Sequence, residues 1–240
     1  MLDLILTRHG YPASGSVWLG SRLDPPLSPE GRAQADALAR RLAGVRIDRI
    51  ISSPMLRALE TARAIATDRP IEVDQRLREE DCGRWEGLTA AEIETGDPEL
   101  KARWEDDPAG NHLPGGESGD DVAARTRAFL RDLLAAELAG GAKAGRRSPD
   151  PGGSRGTVTE AQAELARERR VMVVGHSALN RILMCVALGI PVRDYRRRFI
   201  QDRTNLTVLR YEDDDTPDGA QLVLANDLAH LRSPGEAEGG

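Results

Sequence analysis

Cysteine is nearly absent: the 240 residues contain two, Cys82 and Cys185. That excludes a disulfide framework and fits a reducing cytoplasm, where both thiols are expected to be buried and inert. No apolar run approaches the roughly 18 residues that crossing a bilayer takes, so no membrane partner is expected. Met1 to Leu6 carries neither a basic lead nor a small-residue cleavage site, and no secretory leader is expected there. A positive excess is missing as well. The 33 Lys and Arg residues against 39 Asp and Glu residues leave a charge of −6, without the chain-wide basic footprint of a nucleic-acid binder. The chain also lacks His-Glu-x-x-His, Cys-x-x-Cys and a cluster of aspartates after a strand, so neither metal nor cofactor is expected. The Walker phosphate loop and the Gly-x-Ser-x-Gly elbow of serine hydrolases are missing too.

What is present is enough for a core. Apolar residues make up 40% of the chain, and its length suits one elaborated domain, placed over 1–232 with a disordered tail at 233–240. Short apolar segments predict strands at Leu2–Thr7, Ile47–Ser52, Ile71–Val73, Val171–Val174, Leu206–Tyr211 and Gln221–Leu224. Amphipathic helices are predicted between them. Ser28-Pro29 opens one and Ser53-Pro54 another. Others follow at about Thr89–Glu94, Glu99–Glu105, Asp120–Leu138, Thr159–Arg169 and Ala178–Leu188. The alternation argues an α/β fold: a three-layer sandwich whose mostly parallel sheet is flanked by helices. The segment at about 88–118 reads as a short helical cap. The Gly-, Pro- and Arg-rich stretch 140–156 reads as a mobile insertion.

In such a sheet, ligands bind at the carboxyl ends of the strands. Two of the four histidines, His9 and His176, fall just past strands and beside glycines. His112 and His230 have no such context. Arg8 precedes His9, and Arg57 lies early in the helix after the second strand. Guanidiniums beside imidazoles suit a phosphoryl dianion, because Arg offers paired donors whose charge does not titrate away. The charge on a transferring phosphoryl group needs that stabilisation.

These residues belong to a longer ordered set: Leu6-Thr7-Arg8-His9-Gly10, Leu27-Ser28-Pro29-Glu30-Gly31, Ser52-Ser53-Pro54-Met55-Leu56-Arg57-Ala58, Leu77-Arg78-Glu79 leading to Gly83-Arg84-Trp85-Glu86-Gly87, Pro114-Gly115-Gly116-Glu117-Ser118, and Val174-Gly175-His176-Ser177. The set resembles the histidine phosphatase superfamily, the phosphoglycerate mutase-like enzymes, over roughly residues 2 to 211. The resemblance implies a metal-independent phosphomonoester phosphatase. His9 would attack phosphorus. Arg8, Arg57 and His176 would hold the phosphoryl oxygens, and Glu79 would be general acid and then base. It also implies one antiparallel edge strand in the sheet.

The chain departs from the pattern after Arg-His-Gly. Tyr11, Pro12 and Gly15 stand where the family often has an acidic residue or Gln, then Thr, then Asn. Ser14 is the replacement candidate for phosphate contact, with Ser177 of the second motif. Trp18 and Arg22, in the loop after His9, are specificity candidates. Trp85 is expected to pack, and the run Arg196-Arg197-Arg198 to be solvated surface. The short cap favours a phosphatase over a phosphoglycerate-type mutase, whose family members carry a longer insertion there. A catalytically weak phosphate-binding domain is the third reading. The expected partner is a small phosphorylated metabolite or a phosphohistidine protein, and the chain is compatible with a homodimer.

Overall fold

The computed structural model describes residues 1–143, 168–212 and 216–232. The expected insertion from 144 on, nearly all of the polar helix expected at 159–169, and the tail lie outside the described residues.

Six strands form one sheet in the order β3-β2-β4-β1-β5-β6. They are β1 (Leu2–Arg8), β2 (Arg49–Ser52), β3 (Ile71–Val73), β4 (Arg169–Gly175), β5 (Leu206–Tyr211) and β6 (Gln221–Asp227). β1, β2, β3 and β4 pair in parallel, β5 pairs antiparallel with β1, and β6 pairs antiparallel with β5. The strand of reversed direction is therefore β5, one place in from the edge, and not the edge strand expected above. The correction has a simple cause: the short connection from β5 turns the chain straight back, so β6 covers β5 and becomes the edge itself.

The helices are α1 (Pro29–Arg41), α2 (Leu56–Ala66), α3 (Ala90–Gly96), α4 (Pro98–Asp106), α5 (Gly119–Lys143), α6 (Ser177–Ala187) and α7 (Tyr195–Arg198). Side-chain alternation along the strands splits the core in two. Leu2, Leu4 and Leu6 of β1 face α5 and α6, where they meet Phe129, Leu130, Leu134, Leu179 and Leu183. Ile5, Met172 and Val174 face the other way, onto Leu38 of α1 and Ala58, Ala62 and Ile65 of α2. Each fully buried Leu or Ile is worth about 1.5–3 kcal/mol. A third, smaller core gathers Trp85, Ile93, Trp104 and Leu113 under α3 and α4.

α1 starts where expected: the Ser28 side chain accepts from the Gly31 N–H, with Pro29 in the first turn. α2 does not start at Ser53-Pro54. Met55 is its N-cap and supplies no side-chain bond, because Ser53 is used elsewhere, as described below. α5 runs through Lys143, past the Gly140 at which a mobile stretch was expected. Adding a residue to an existing helix costs little, so two glycines at its end do not stop it.

Candidate active site

The site grows from the carboxyl ends of β1 and β4, neighbours in the middle of the sheet. His9 follows β1, and its backbone N–H donates to the Gly175 carbonyl at 3.1 Å. His176 follows Gly175, so that bond brings the two imidazoles together, their centroids 5.0 Å apart at 61°. Both are buried. The glycine after His9 is required by packing. A Cβ on Gly10 would strike the Gly31 carbonyl, and one on Gly31 would strike the Tyr11 backbone. The glycines of the first two sequence motifs are thus two sides of one close approach.

Hydrogen bonds set the protonation of the pair. His9 Nδ1 lies 2.7 Å from the Gly10 carbonyl. A carbonyl only accepts, so Nδ1 carries the proton and Nε2 keeps its lone pair. Ser53 Oγ accepts from the Met55 N–H at 3.2 Å and lies 2.7 Å from His176 Nε2. The Ser53 hydroxyl is thus able to donate to Nε2, an arrangement that puts the His176 proton on Nδ1, and Nδ1 has no partner among the described residues. Burial holds both histidines well below the usual imidazole range. For His9 the charges of His176, Arg203, Arg57 and Arg8 add to it, and for His176 those of Arg57, Arg8, Arg125 and Arg203. Both rings are neutral.

Three guanidiniums surround His9. Arg57, fully buried, donates from Nε to His9 Nε2 at 3.3 Å and from its two Nη atoms to the carbonyls of Leu23 at 3.0 Å and Gly20 at 2.8 Å. Arg8 donates to the Gln201 carbonyl at 2.9 Å, while its buried Nε has no partner. Burial lowers Arg8 to about 10. The third, Arg203, has no precedent in the sequence motifs. Its Nη1 lies 3.0 Å from His9 Nε2, and burial with the charges of Arg8 and Arg57 brings it down to about 9.

A cavity of about 320 Å³ opens onto this group. Arg8, His9, Ser14, Glu79, Ser177 and Trp18 all line it. Arg57 and His176 reach His9 from behind its wall. Glu79 sits at the N-terminus of α6. Its Oε2 accepts from the N–H groups of Ser177 at 3.0 Å and Ala178 at 3.3 Å, and its Oε1 from Leu179 at 3.0 Å. Arg125 of α5 pins the backbone that carries it, donating to the carbonyls of Arg78 at 2.7 Å and Glu79 at 3.2 Å. Ser177 Oγ accepts from Arg181 at 3.0 Å, which leaves its proton free toward the cavity.

Arg22 is not brought to the site. Its guanidinium is half-exposed and paired with Asp81 at 2.8 Å, and that carboxylate, together with the Gly115 carbonyl, draws it away from the cavity. Trp18, Trp85 and Trp104 form an edge-to-face trio with centroids 5.3–6.0 Å apart. Trp85 packs as expected, its Nε1 bound to Asp97 at 2.8 Å. The arginine run divides: Arg196 lies 4.3 Å over the Trp104 ring and lines the cavity. Arg203, Arg125 and Arg181 escaped sequence reasoning, since nothing in their spacing marks them.

Glu80 was also passed over. It is buried, lines the cavity, and has one oxygen with no partner. Burial pushes its carboxyl up to about 8, with the charges of Glu79 and Glu117 adding to it. An unfolded chain holds that proton only below about 4.3, so this group makes folding less favourable as pH rises from there to about 8. The neutral histidines act in the opposite sense below about 6.5. Glu80→Gln removes only the carboxyl's share. Its melting temperature is expected to gain on the wild type from pH 5 to pH 8.5, reaching about 10 °C. A difference that is constant with pH would show that Glu80 is not held protonated.

Among the described residues, no three His, Cys, Asp or Glu side chains are grouped to hold a metal ion, and no helix is long and apolar enough to cross a membrane.

Comparison with known proteins agrees with this geometry. The sequence model of the histidine phosphatase superfamily (branch 1) matches residues 4–141 and 154–227. A glucosyl-3-phosphoglycerate phosphatase of Mycolicibacterium vanbaalenii is 34% identical over 197 residues, which is 80% of this chain and 76% of the relative. Phosphoserine phosphatase 1 of Hydrogenobacter thermophilus is 37% identical over 216 residues, 89% of this chain and 88% of that protein. Among solved structures, a mycobacterial glucosyl-3-phosphoglycerate phosphatase in complex with inorganic phosphate superposes with a TM-score of 0.73 at 30% identity, covering 96% of this chain and 99% of that one. With its two strand-end histidines, its buried arginines and a family match that spans both, the chain belongs to branch 1 of the histidine phosphatase superfamily and is a phosphatase of that family.

Proposed function

We propose that the chain hydrolyses small phosphomonoesters through a phosphohistidine on His9. The observation that carries this is the state of His9: neutral, its Nδ1 proton tied to the Gly10 carbonyl, its Nε2 lone pair set among cations beside the cavity. Nε2 attacks phosphorus, the P–N bond forms and the bond to the ester oxygen breaks. The leaving oxygen takes a proton from the Glu79 carboxyl, which ends the step as the carboxylate. Arg8, Arg57 and the free Nδ1–H of His176 stabilise the charge on the three phosphoryl oxygens. Ser177 adds a neutral donor; Ser14 lines the same cavity with its hydroxyl turned to the Gly15 carbonyl. In the second half, Glu79 takes a proton from water, whose oxygen attacks phosphorus and returns Nε2 to its lone-pair state.

The far side of the cavity speaks to the leaving group. Arg181, bonded to Ser177, and Arg196, over the Trp104 ring, line it, and neither has a carboxylate within ion-pair distance among the described residues. A leaving group with a carboxylate of its own fits them. Phosphoserine and phosphoglycerate esters, the compounds in the relatives' names, both carry one.

The test is rapid quenching with ³²P-labelled aryl phosphate in EDTA. The expected product is a label that survives alkali, is lost in acid, and maps to the peptide bearing His9. Steady turnover with no labelled His9 would overturn the reading. Phosphoserine and phosphoglycerate esters are expected to exceed the aryl phosphate in kcat/KM.

A further inference from the structure

The loop after His9 brings little to the phosphoryl group. Pro12 and Gly15 line the cavity with no side-chain donor, and Ser14 Oγ points to the neighbouring Gly15 carbonyl at 3.5 Å. The opposite side of His9 is different. Arg203 comes from the segment between α7 and β5, far from every motif. Its backbone pairs with Arg8, and the Thr204 N–H donates to the Arg8 carbonyl at 2.9 Å. Thr204 has φ +55°, in the left-handed region that a β-branched residue seldom enters. Its hydroxyl donates to the Arg203 carbonyl at 2.7 Å. The strained residue is fully buried, so the fold holds this turn against its local preference, and the turn aims Arg203 at His9.

The guanidinium so placed has an unusual environment. Nη1 is 3.0 Å from His9 Nε2, and the group lies 5.5 Å over the Tyr11 ring. Among the described residues it has no carboxylate within ion-pair distance. Arg57 by contrast has Asp24 at 3.6 Å. A cation kept beside the cavity, next to two other cations and with no anion of its own, is placed for an anion that arrives with the substrate.

We infer that Arg203 is a further catalytic residue, a third guanidinium on the phosphoryl oxygens that takes over the donor work absent from the loop after His9. In the free enzyme its Nη1 lies against the face of the His9 ring, 3.0 Å from Nε2 and 3.2 Å from Nδ1. When the ester enters, an N–H of this guanidinium turns to a phosphoryl oxygen beside the attacking nitrogen. Tyr11 supports the face of the guanidinium.

The inference rests on the proposed role of His9 and is tested separately from it. The measurements are inhibition by inorganic phosphate and by vanadate, and kcat/KM for an aryl phosphate, in Arg203→Met and Arg203→Lys. Arg203→Met is expected to lose about 100-fold in kcat/KM and to bind both anions at least about tenfold more weakly. Arg203→Lys, which keeps the charge without the fork, is expected to regain part of both. If both variants bind the anions and turn over within twofold of wild type, the inference is wrong. Should Arg203→Met fail to fold, Arg203→Lys decides alone, since losing the fork still costs anion affinity at least threefold if the contact exists. Inhibition by phosphate is an equilibrium of the empty site. It reports on Arg203 even if His9 never takes up label, so the two ideas fail independently.

Discussion

Turnover of an aryl phosphate by His9→Ala is expected to fall by at least about 10⁴-fold, because no neighbouring group can take the nucleophile's place. His176 is the only other imidazole at the site. Its Nε2 is tied to Ser53 at 2.7 Å, and the proposed reaction places its proton on Nδ1, so it presents no free lone pair. Water could attack the ester directly, but the arginines stabilise charge without activating water. The same variant is expected to keep binding inorganic phosphate, since Arg8, Arg57 and Arg203 remain. The wild-type pH profile is a companion test. Burial, with His176, Arg203, Arg57 and Arg8 around it, holds His9 well below the usual imidazole range. A group lowered in this way stays neutral as pH falls through 6.5, so kcat/KM is expected not to drop there. Retention of more than a hundredth of wild-type turnover by His9→Ala would remove His9 as the nucleophile.

Local rules made the sheet and most helices legible. Ser28-Pro29 is a helix start because one hydroxyl and one ring suffice to make it so. The same dipeptide at Ser53-Pro54 misleads because Ser53 is claimed by a residue 123 positions away. His9 and Arg57 were found through motif segments, and those segments are short runs that the backbone keeps together. Arg203 and Glu80 show what such reading misses. Arg203 matters only because β5 pairs with β1 and sets its turn beside Arg8, a relation between positions 195 residues apart. Glu80 follows Glu79 in the chain, and the two look alike as sequence. One is held by the backbone N–H groups of α6 and the other is buried with an oxygen unpartnered. Arg22 errs in the opposite direction: a loop arginine near the nucleophile in sequence is taken by Asp81 in space. The reversed strand follows the same logic, since which strand ends as the edge depends on where the last connection turns.

Arg57→Met is expected to separate function from stability. Methionine fills much of the same volume without charge. The arginine has no exposed surface, burial lowers its affinity for the proton, and Asp24, itself partly exposed, stands at 3.6 Å. Removing a buried cation relieves a desolvation cost of several kcal/mol, whereas the carbonyls of Gly20 and Leu23 lose donors at about 1–3 kcal/mol each. The two nearly cancel, so the melting temperature is expected to move by no more than about 4 °C. Catalysis has no such compensation. The Nε–H that lies 3.3 Å from the attacking nitrogen is lost where charge develops on phosphorus, and kcat/KM is expected to fall about 10³-fold. Arg57→Lys should recover little, because one ammonium cannot hold the two carbonyls and still face His9. A loss of activity matched by a melting temperature lowered by 15 °C or more would mean that Arg57 is chiefly a structural strut. With the melting temperature nearly unchanged, the buried charge is there for the phosphoryl group: the fold tolerates it, and the reaction requires it.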